Sequence, residues 1–205
     1  MRTRLLVLAL LVISIVSCKK DTTDEFIGDS GVFTDKRDGK DYSWVRIGDQ
    51  IWMAENLAYL PEVYPGAEGS EDLGKENDSF YYVYGYNGTN VEEAKATNNY
   101  NTYGVLYNWR AAMESCPDGW HLSTDDDWLE LEEEMGITDN LLEFNVYRGD
   151  DAGDRLKETG TVHWSAPNDG ATDEFGFSAL AAGHRSVAFS GLGDYCWILT
   201  STRRP

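Results

Sequence analysis

The side chains with the widest chemical reach in this chain of 205 residues are three cysteines, three histidines and an acidic, amide-bearing loop in its last third. His121, His163 and His184 lie far apart and lack the spacing by which histidines share a metal ion; beside aromatic or strand residues, each reads as a structural histidine. No GxSxG, HExxH, glycine-rich phosphate loop or CxxC is present, so no recognised nucleophile, zinc or phosphate machinery is in view. Asn168, Asp169, Asp173 and Glu174 offer the oxygen ligands that calcium prefers, and an ordinary turn-rich loop is the competing reading. Trp164 adjoins that loop, and Trp164, Asn168 and Asp169 form the candidate ligand-binding set, because an exposed aromatic face suits a sugar ring. No cofactor other than this calcium ion is expected.

Cys18 has a different chemistry. Arg2 and Arg4 precede an apolar run from Leu5 to Val16 that is too short for a stable membrane span, which is the pattern of a signal peptide over residues 1–17. Ile15-Val16-Ser17-Cys18 resembles a lipobox, in which the cysteine thiol takes a diacylglyceryl group and becomes the first residue after cleavage. Two acyl chains hold a protein to a membrane far better than one. The expectation is therefore a lipid-anchored envelope protein. Lys19 lacks the aspartate associated with inner-membrane retention, which favours the outer membrane. Residues 18–38 are polar and charged and read as a flexible stalk.

The formal charge is −19, and loss of Arg2 and Arg4 with no accompanying acid makes the exported chain still more acidic. Such a surface repels nucleic acid and anionic lipid, so nucleic-acid functions are set aside. The partners expected are the membrane, through the anchor, and an extracellular glycan or protein. With Cys18 acylated, Cys116 and Cys196 remain, and an oxidising compartment would permit a bridge between them, worth about 4 kcal/mol in the chain-entropy model.

The elements that must position these residues occupy one domain, residues 39–205. Tyr42 to Ile47 alternates apolar with polar residues, Gly48-Asp49 turns, and Gln50 to Met53 returns, which predicts a β-hairpin. Residues 61–101 read as a surface insertion, with Phe80 to Tyr86 as its apolar island, packed to the domain or exposed for binding. Val105 to Glu114 has helical spacing and stops before Cys116-Pro117-Asp118-Gly119. Trp120-His121-Leu122 reads as a buried strand. Thr124 with Asp127 forms a capping box for a second helix that Gly136 ends, and Asp125 and Asp126 suit its first turn. A short helix over 152–158, strands at 161–164 and 175–180, and glycine-punctuated strands to Ile198 complete an α+β reading. Trp109, Trp120 and Trp128 are expected to pack the helices on the sheet.

Val45-Arg46-Ile47-Gly48-Asp49-Gln50-Ile51-Trp52-Met53-Ala54-Glu55-Asn56-Leu57 and Tyr103-Gly104-Val105-Leu106-Tyr107-Asn108-Trp109 resemble the Fibrobacter succinogenes major paralogous domain family. Cys116 to Leu122 leading to Asp127-Trp128, then Leu156-Lys157-Glu158-Thr159-Gly160, His163-Trp164 and Gly176 to Leu180, match it in the same order. The resemblance implies a C-type-lectin-like fold with two central helices and a looped antiparallel sheet, related to the sulfatase-modifying domains. That fold hosts sugar binding, protein binding and catalysis, so a function taken from it is analogy. The expected function is non-enzymatic, lectin-like binding; the alternatives are a sulfatase-modifying-like enzyme or its remnant, and a structural envelope or adhesion component. Pro167-Asn168 resembles the sugar-binding loop of calcium-dependent lectins. Ser123 stands where the family has proline, and Ile198-Leu199-Thr200 replaces an aromatic-serine-serine pattern. The family continues to a late cysteine, which the resemblance pairs with Cys116, and the expectation is accordingly of a C-terminally truncated domain.

Overall fold

The computed structural model describes residues 14–20, 26–69, 77–137 and 151–202. In chain order the first strands are β1 (Ile15–Val16), β2 (Cys18–Lys20), β3 (Ser30–Thr34), β4 (Asp41–Ile47), β5 (Gln50–Met53) and β6 (Tyr81–Tyr82). Helices α1 (Val91–Lys95) and α2 (Asn98–Tyr103), strand β7 (Leu106–Tyr107), α3 (Trp109–Ser115), β8 (Trp120–Leu122), α4 (Asp125–Glu134) and α5 (Ala152–Leu156) follow. Strands β9 (Ala182–Arg185), β10 (Phe189–Leu192) and β11 (Ile198–Leu199) end the series. The class is α+β, with a five-stranded sheet ordered β3-β4-β5-β2-β8, antiparallel throughout, and three two-stranded pairs. No described helix is long and apolar enough to cross a membrane.

The expected hairpin is present: Gly48, at φ 57°, and Asp49 turn β4 into β5 with Ile47 opposite Gln50. Alternation there separates two cores rather than core from water. Tyr42, Trp44, Ile51 and Met53 enter one cluster with the α3 alanines Ala111 and Ala112, while Val45, Ile47 and Trp52 enter another with Leu131, Met135, Leu156 and Phe177. A sheet covered on both faces has no polar side, which is why every residue of β5 is buried. Trp52 is fully buried, its ring 5.1 Å from that of Trp128 and 5.9 Å from that of Phe177.

The capping box forms as expected. Thr124 accepts from the Asp127 amide at 3.0 Å while the Asp127 carboxylate accepts from the Thr124 amide at 2.7 Å. The same carboxylate takes Lys19 Nζ at 2.8 Å and faces His121 Nε2 at 3.0 Å. Burial of Asp127 opposes ionisation, but the bonds from Lys19, Thr124 and His121 outweigh it and hold its pKa well below the usual carboxylate range. Gly136, at φ 78°, follows the helix end.

Several expectations are corrected. Leu106 and Tyr107 belong to β7 rather than to a helix starting at Val105; α3 begins only at Trp109, because the Asn108 side chain caps the Ala111 amide. Residues 18–38 are not a free stalk throughout, since β2 lies inside the five-stranded sheet and β3 pairs with β4 along its whole length; residues 21–25 lie outside the described set. The apolar island of the insertion packs inward, with Phe80, Tyr81, Tyr82 and Val83 all buried. Residues 161–164 and 175–180 form turns rather than strands, with Ala179 alone bridged to Lys157, because backbone groups there bond to side chains. Trp120 is buried and Trp128, though half-buried, packs α4 on Trp52 of the sheet as expected, whereas half-buried Trp109 donates its indole N–H to the Thr200 carbonyl at 3.1 Å.

Candidate functional site

The residues of 157–180 separate two cavities, and each expected site residue can be placed relative to them. The first is a polar cleft of about 420 Å³ whose walls include Glu55, Asn56, Tyr100, Glu158, His163 and Ser178. Glu55 and Asn56 extend from the end of β5, and Tyr100 stands on α2. The α2 helix stops at Gly104, whose φ of 69° and 2.7 Å approach of a would-be Cβ to the Leu57 carbonyl leave room only for glycine. That close approach brings Tyr103 beside the cleft, where Asn56 Nδ2 donates to its carbonyl at 3.0 Å and its ring meets His163 edge-on at 5.8 Å.

Most of the polar groups in this cleft are fixed before any ligand arrives. His163 Nδ1 lies 2.9 Å from both Glu158 oxygens, so the carboxylate orients the imidazole. Tyr100 donates to the Ala58 carbonyl at 2.9 Å, and burial followed by the negative charges of Asp38 and Glu92 pushes its phenol up to about 12, which keeps it a neutral donor. The Ser43 amide donates to Glu55 at 2.9 Å, leaving the second carboxylate oxygen of Glu55 for another donor. Lys40 adds a cation at the margin, 5.3 Å from the centroid of the Tyr42 ring.

The second cavity, about 310 Å³, is walled by Trp128, Trp164, Phe177, Tyr195, Leu156 and Lys157. Trp164 Nε1 donates to the Ala179 carbonyl at 2.9 Å, which holds the indole against this cavity, and Lys157 Nζ lies 5.0 Å from its ring centroid. Neighbouring residues alternate between the two cavities: Lys157 and Trp164 face the aromatic one, Glu158 and His163 the polar one. At the rim of the aromatic cavity Tyr195 is exposed beside Trp197, with ring centroids 6.3 Å apart, and Trp197 meets His184 at 5.8 Å.

The calcium set is not brought together. Asn168 is buried and spends its amide on the carbonyls of Glu158 and Gly160, at 2.9 and 2.7 Å. Both Asp173 oxygens accept from Ser178, one from its amide at 2.7 Å and one from its hydroxyl at 2.6 Å. Glu174 pairs with Arg155 at 2.7 Å, and Asp169 is exposed apart from them. Among the described residues no three acidic, histidine or cysteine side chains are grouped to hold a metal. Turn closure has used both oxygens of Asp173, and ion pairing has used Glu174. Asn168 instead positions the polar cleft through its bond to Glu158.

Neither the permitted bridge from Cys116 to Cys196 nor the pairing of Cys116 with a late cysteine that the resemblance implies is formed. Cys116 is joined to Cys18, across a sequence separation of 98, and Cys196 is a free thiol that burial pushes up to about 12. The pairing follows from β2, which lies beside β8 and so carries Cys18 to the end of α3. The polar cleft itself was missed in the sequence. The five-residue interval from Glu158 to His163 was the available signal, visible only once the intervening turn was known.

A family model described as the Fibrobacter succinogenes major domain matches residues 45–204. The chain belongs to that family. No curated protein and no solved structure matches it. The Fibrobacter succinogenes major domain here begins within β4 and takes in both cavities except for Lys40, while β1, β2 and β3 lie ahead of the matched region.

Proposed function

We propose that the protein is an exported, lipid-anchored, non-enzymatic binding protein whose lectin-like domain takes an extracellular saccharide. The supporting observation is the pair of cavities divided by the Lys157 to Ala179 bridge, one polar with pre-oriented donors and acceptors, the other aromatic. A pyranose presents hydroxyls at its edge and C–H groups on its face, which are the two surfaces such a pair can satisfy. Fixing Tyr100, Asn56 and His163 in advance lowers the entropy lost on binding. The α+β layout, with helices on a looped antiparallel sheet, is compatible with the C-type-lectin-like arrangement that the sequence resembles.

The envelope location rests on Arg2, Arg4, the apolar run and Cys18. An acylated Cys18 and a disulfide-bonded Cys18 both require the chain to leave the reducing cytosol. The enzymatic alternative gains little from Cys196, a lone half-buried thiol whose surroundings push its pKa up to about 12. A glycan array probed with the exported protein tests the reading. Selective binding, weakened about tenfold or more by His163→Ala and by Trp164→Ala, is expected; an array with no hits, or hits indifferent to both substitutions, contradicts it.

A further inference from the structure

Cys18 has one sulfur and two competing claims on it. The structure puts it in β2, fully buried and bonded to Cys116. Lipidation, the anchoring reading on which this inference rests, would use the same atom for a thioether. It would also remove Ser14 to Ser17 by cleavage. The loss reaches well beyond one bond. Ser14 exchanges backbone bonds with Tyr107 at 2.8 and 3.1 Å, β1 runs parallel to β11, and the Ser17 carbonyl accepts from the Ser123 amide at 3.3 Å. The strand β2 itself separates β5 from β8, with Lys19 opposite both Trp52 and His121. Acyl chains seated in a bilayer would draw Cys18 and the lysines after it to the membrane surface.

We propose that the acylated protein carries an open strand slot between β5 and β8, and that the slot captures an extended cysteine-bearing peptide segment, which bonds to Cys116. The walls are two strand edges whose backbone groups lose their partners with β2, and unpaired edges recruit strands. The bound segment runs antiparallel to both neighbours, as β2 does. Its chemistry is set by what the slot and its approach now hold: a cysteine reaching Cys116 and a cation next to it for Asp127 inside the slot, preceded outside it by two buried aliphatic side chains, at the places of Ile15 and Val16, against β11. The cation matters because Asp127 is only 11% exposed at its side chain and loses Lys19 on lipidation. Covalent capture needs a disulfide oxidant such as oxidised glutathione. The Cys116 thiolate displaces one glutathione thiolate from it, the incoming cysteine thiolate displaces the second, and the two thiol protons and two electrons end on two reduced glutathiones.

Cells fed a clickable fatty acid supply the acylated protein in detergent, and the probe is a synthetic peptide of residues 14–20 offered with oxidised glutathione. Mass spectrometry without reduction should find the peptide on Cys116 and not on Cys196, at least tenfold more than a peptide with Lys19→Glu or a scrambled one. Acylated Cys116→Ser protein, which cannot link, should still raise the anisotropy of the fluorescent peptide and not that of the scrambled one. A protein that takes up no fatty acid overturns both the anchoring and the slot. Acylated protein that links all peptides alike, or none, or whose Cys116→Ser form binds no peptide, overturns the slot alone.

Discussion

The five-stranded sheet and the segment 157–198 are built on different principles. In the sheet, neighbouring strands satisfy one another's backbone groups, both faces are buried, and a disulfide with a sequence separation of 98 crosses the layer. In 157–198 only β9, β10 and β11 are strands, and the turns are held by side chains reaching the backbone: Trp164 to Ala179, Asn168 to Glu158 and Gly160, Asp173 to Ser178. Backbone ladders leave no vacancy, whereas side-chain struts hold turns apart, and both cavities open along those struts. The sheet supplies rigidity and the loops supply the cavities in which the proposed binding would take place, a division common where function sits on loops over a scaffold.

The largest effect expected is in the sheet. In the disulfide-bonded form, reduction or Cys116→Ser should lower unfolding free energy by about 5 kcal/mol, read from urea titration with and without reductant. In an acylated form the same reductant should change nothing, so one titration compares the two states of Cys18.

Trp52→Ala should cost about 3–5 kcal/mol, because a fully buried ring packed on Trp128 and Phe177 leaves a cavity when removed. Trp164→Ala, in the loop region, should cost distinctly less, and equal losses would erase the distinction between scaffold and site.

Asp127 gives the sheet a pH signature. Its folded pKa is depressed, so the stability it contributes is complete above the unfolded carboxylate value of about 3.9 and is lost as pH falls below that toward the folded value. Chemical denaturation between about pH 5 and pH 2 should therefore show a decline that Asp127→Asn flattens. An unchanged slope would mean that Lys19, Thr124 and His121 do not hold the charge.

In the loops, Asp173→Ala should cost about 1–2 kcal/mol by releasing the amide and hydroxyl of Ser178, a non-glycine residue held at φ 53°. The loss in thermal stability should be the same with and without calcium. A calcium-dependent difference would restore the ion-binding reading that the geometry sets aside.

The contrast also marks what the sequence could reveal. Period-two alternation in Tyr42 to Met53 and the Thr124–Asp127 box are local patterns, and both elements appear where those patterns put them. Leu106 fitted a helical stripe, but Asn108 capped the following turn and left it in a strand. The strand at Cys18–Lys20 could not be foreseen, because its partners lie far along the chain and its own sequence spells an export signal. Trp164 walls a cavity, whereas Asp173 was misread because composition shows which oxygens exist and not which are already accepting, and Asn168 because its amide nitrogen donates inward to the Glu158 and Gly160 carbonyls. The Glu158–His163 pair needed the turn geometry to appear.

Amide hydrogen exchange, with and without a saccharide identified on the array, tests the division of labour most directly. Ligand should slow exchange in residues 157–180 and around Asn56 and Tyr100, and leave the ladders of β3 and β4 unchanged. Slowing confined to the sheet, or none anywhere at saturating ligand, would contradict the assignment of binding to the loop-built cavities.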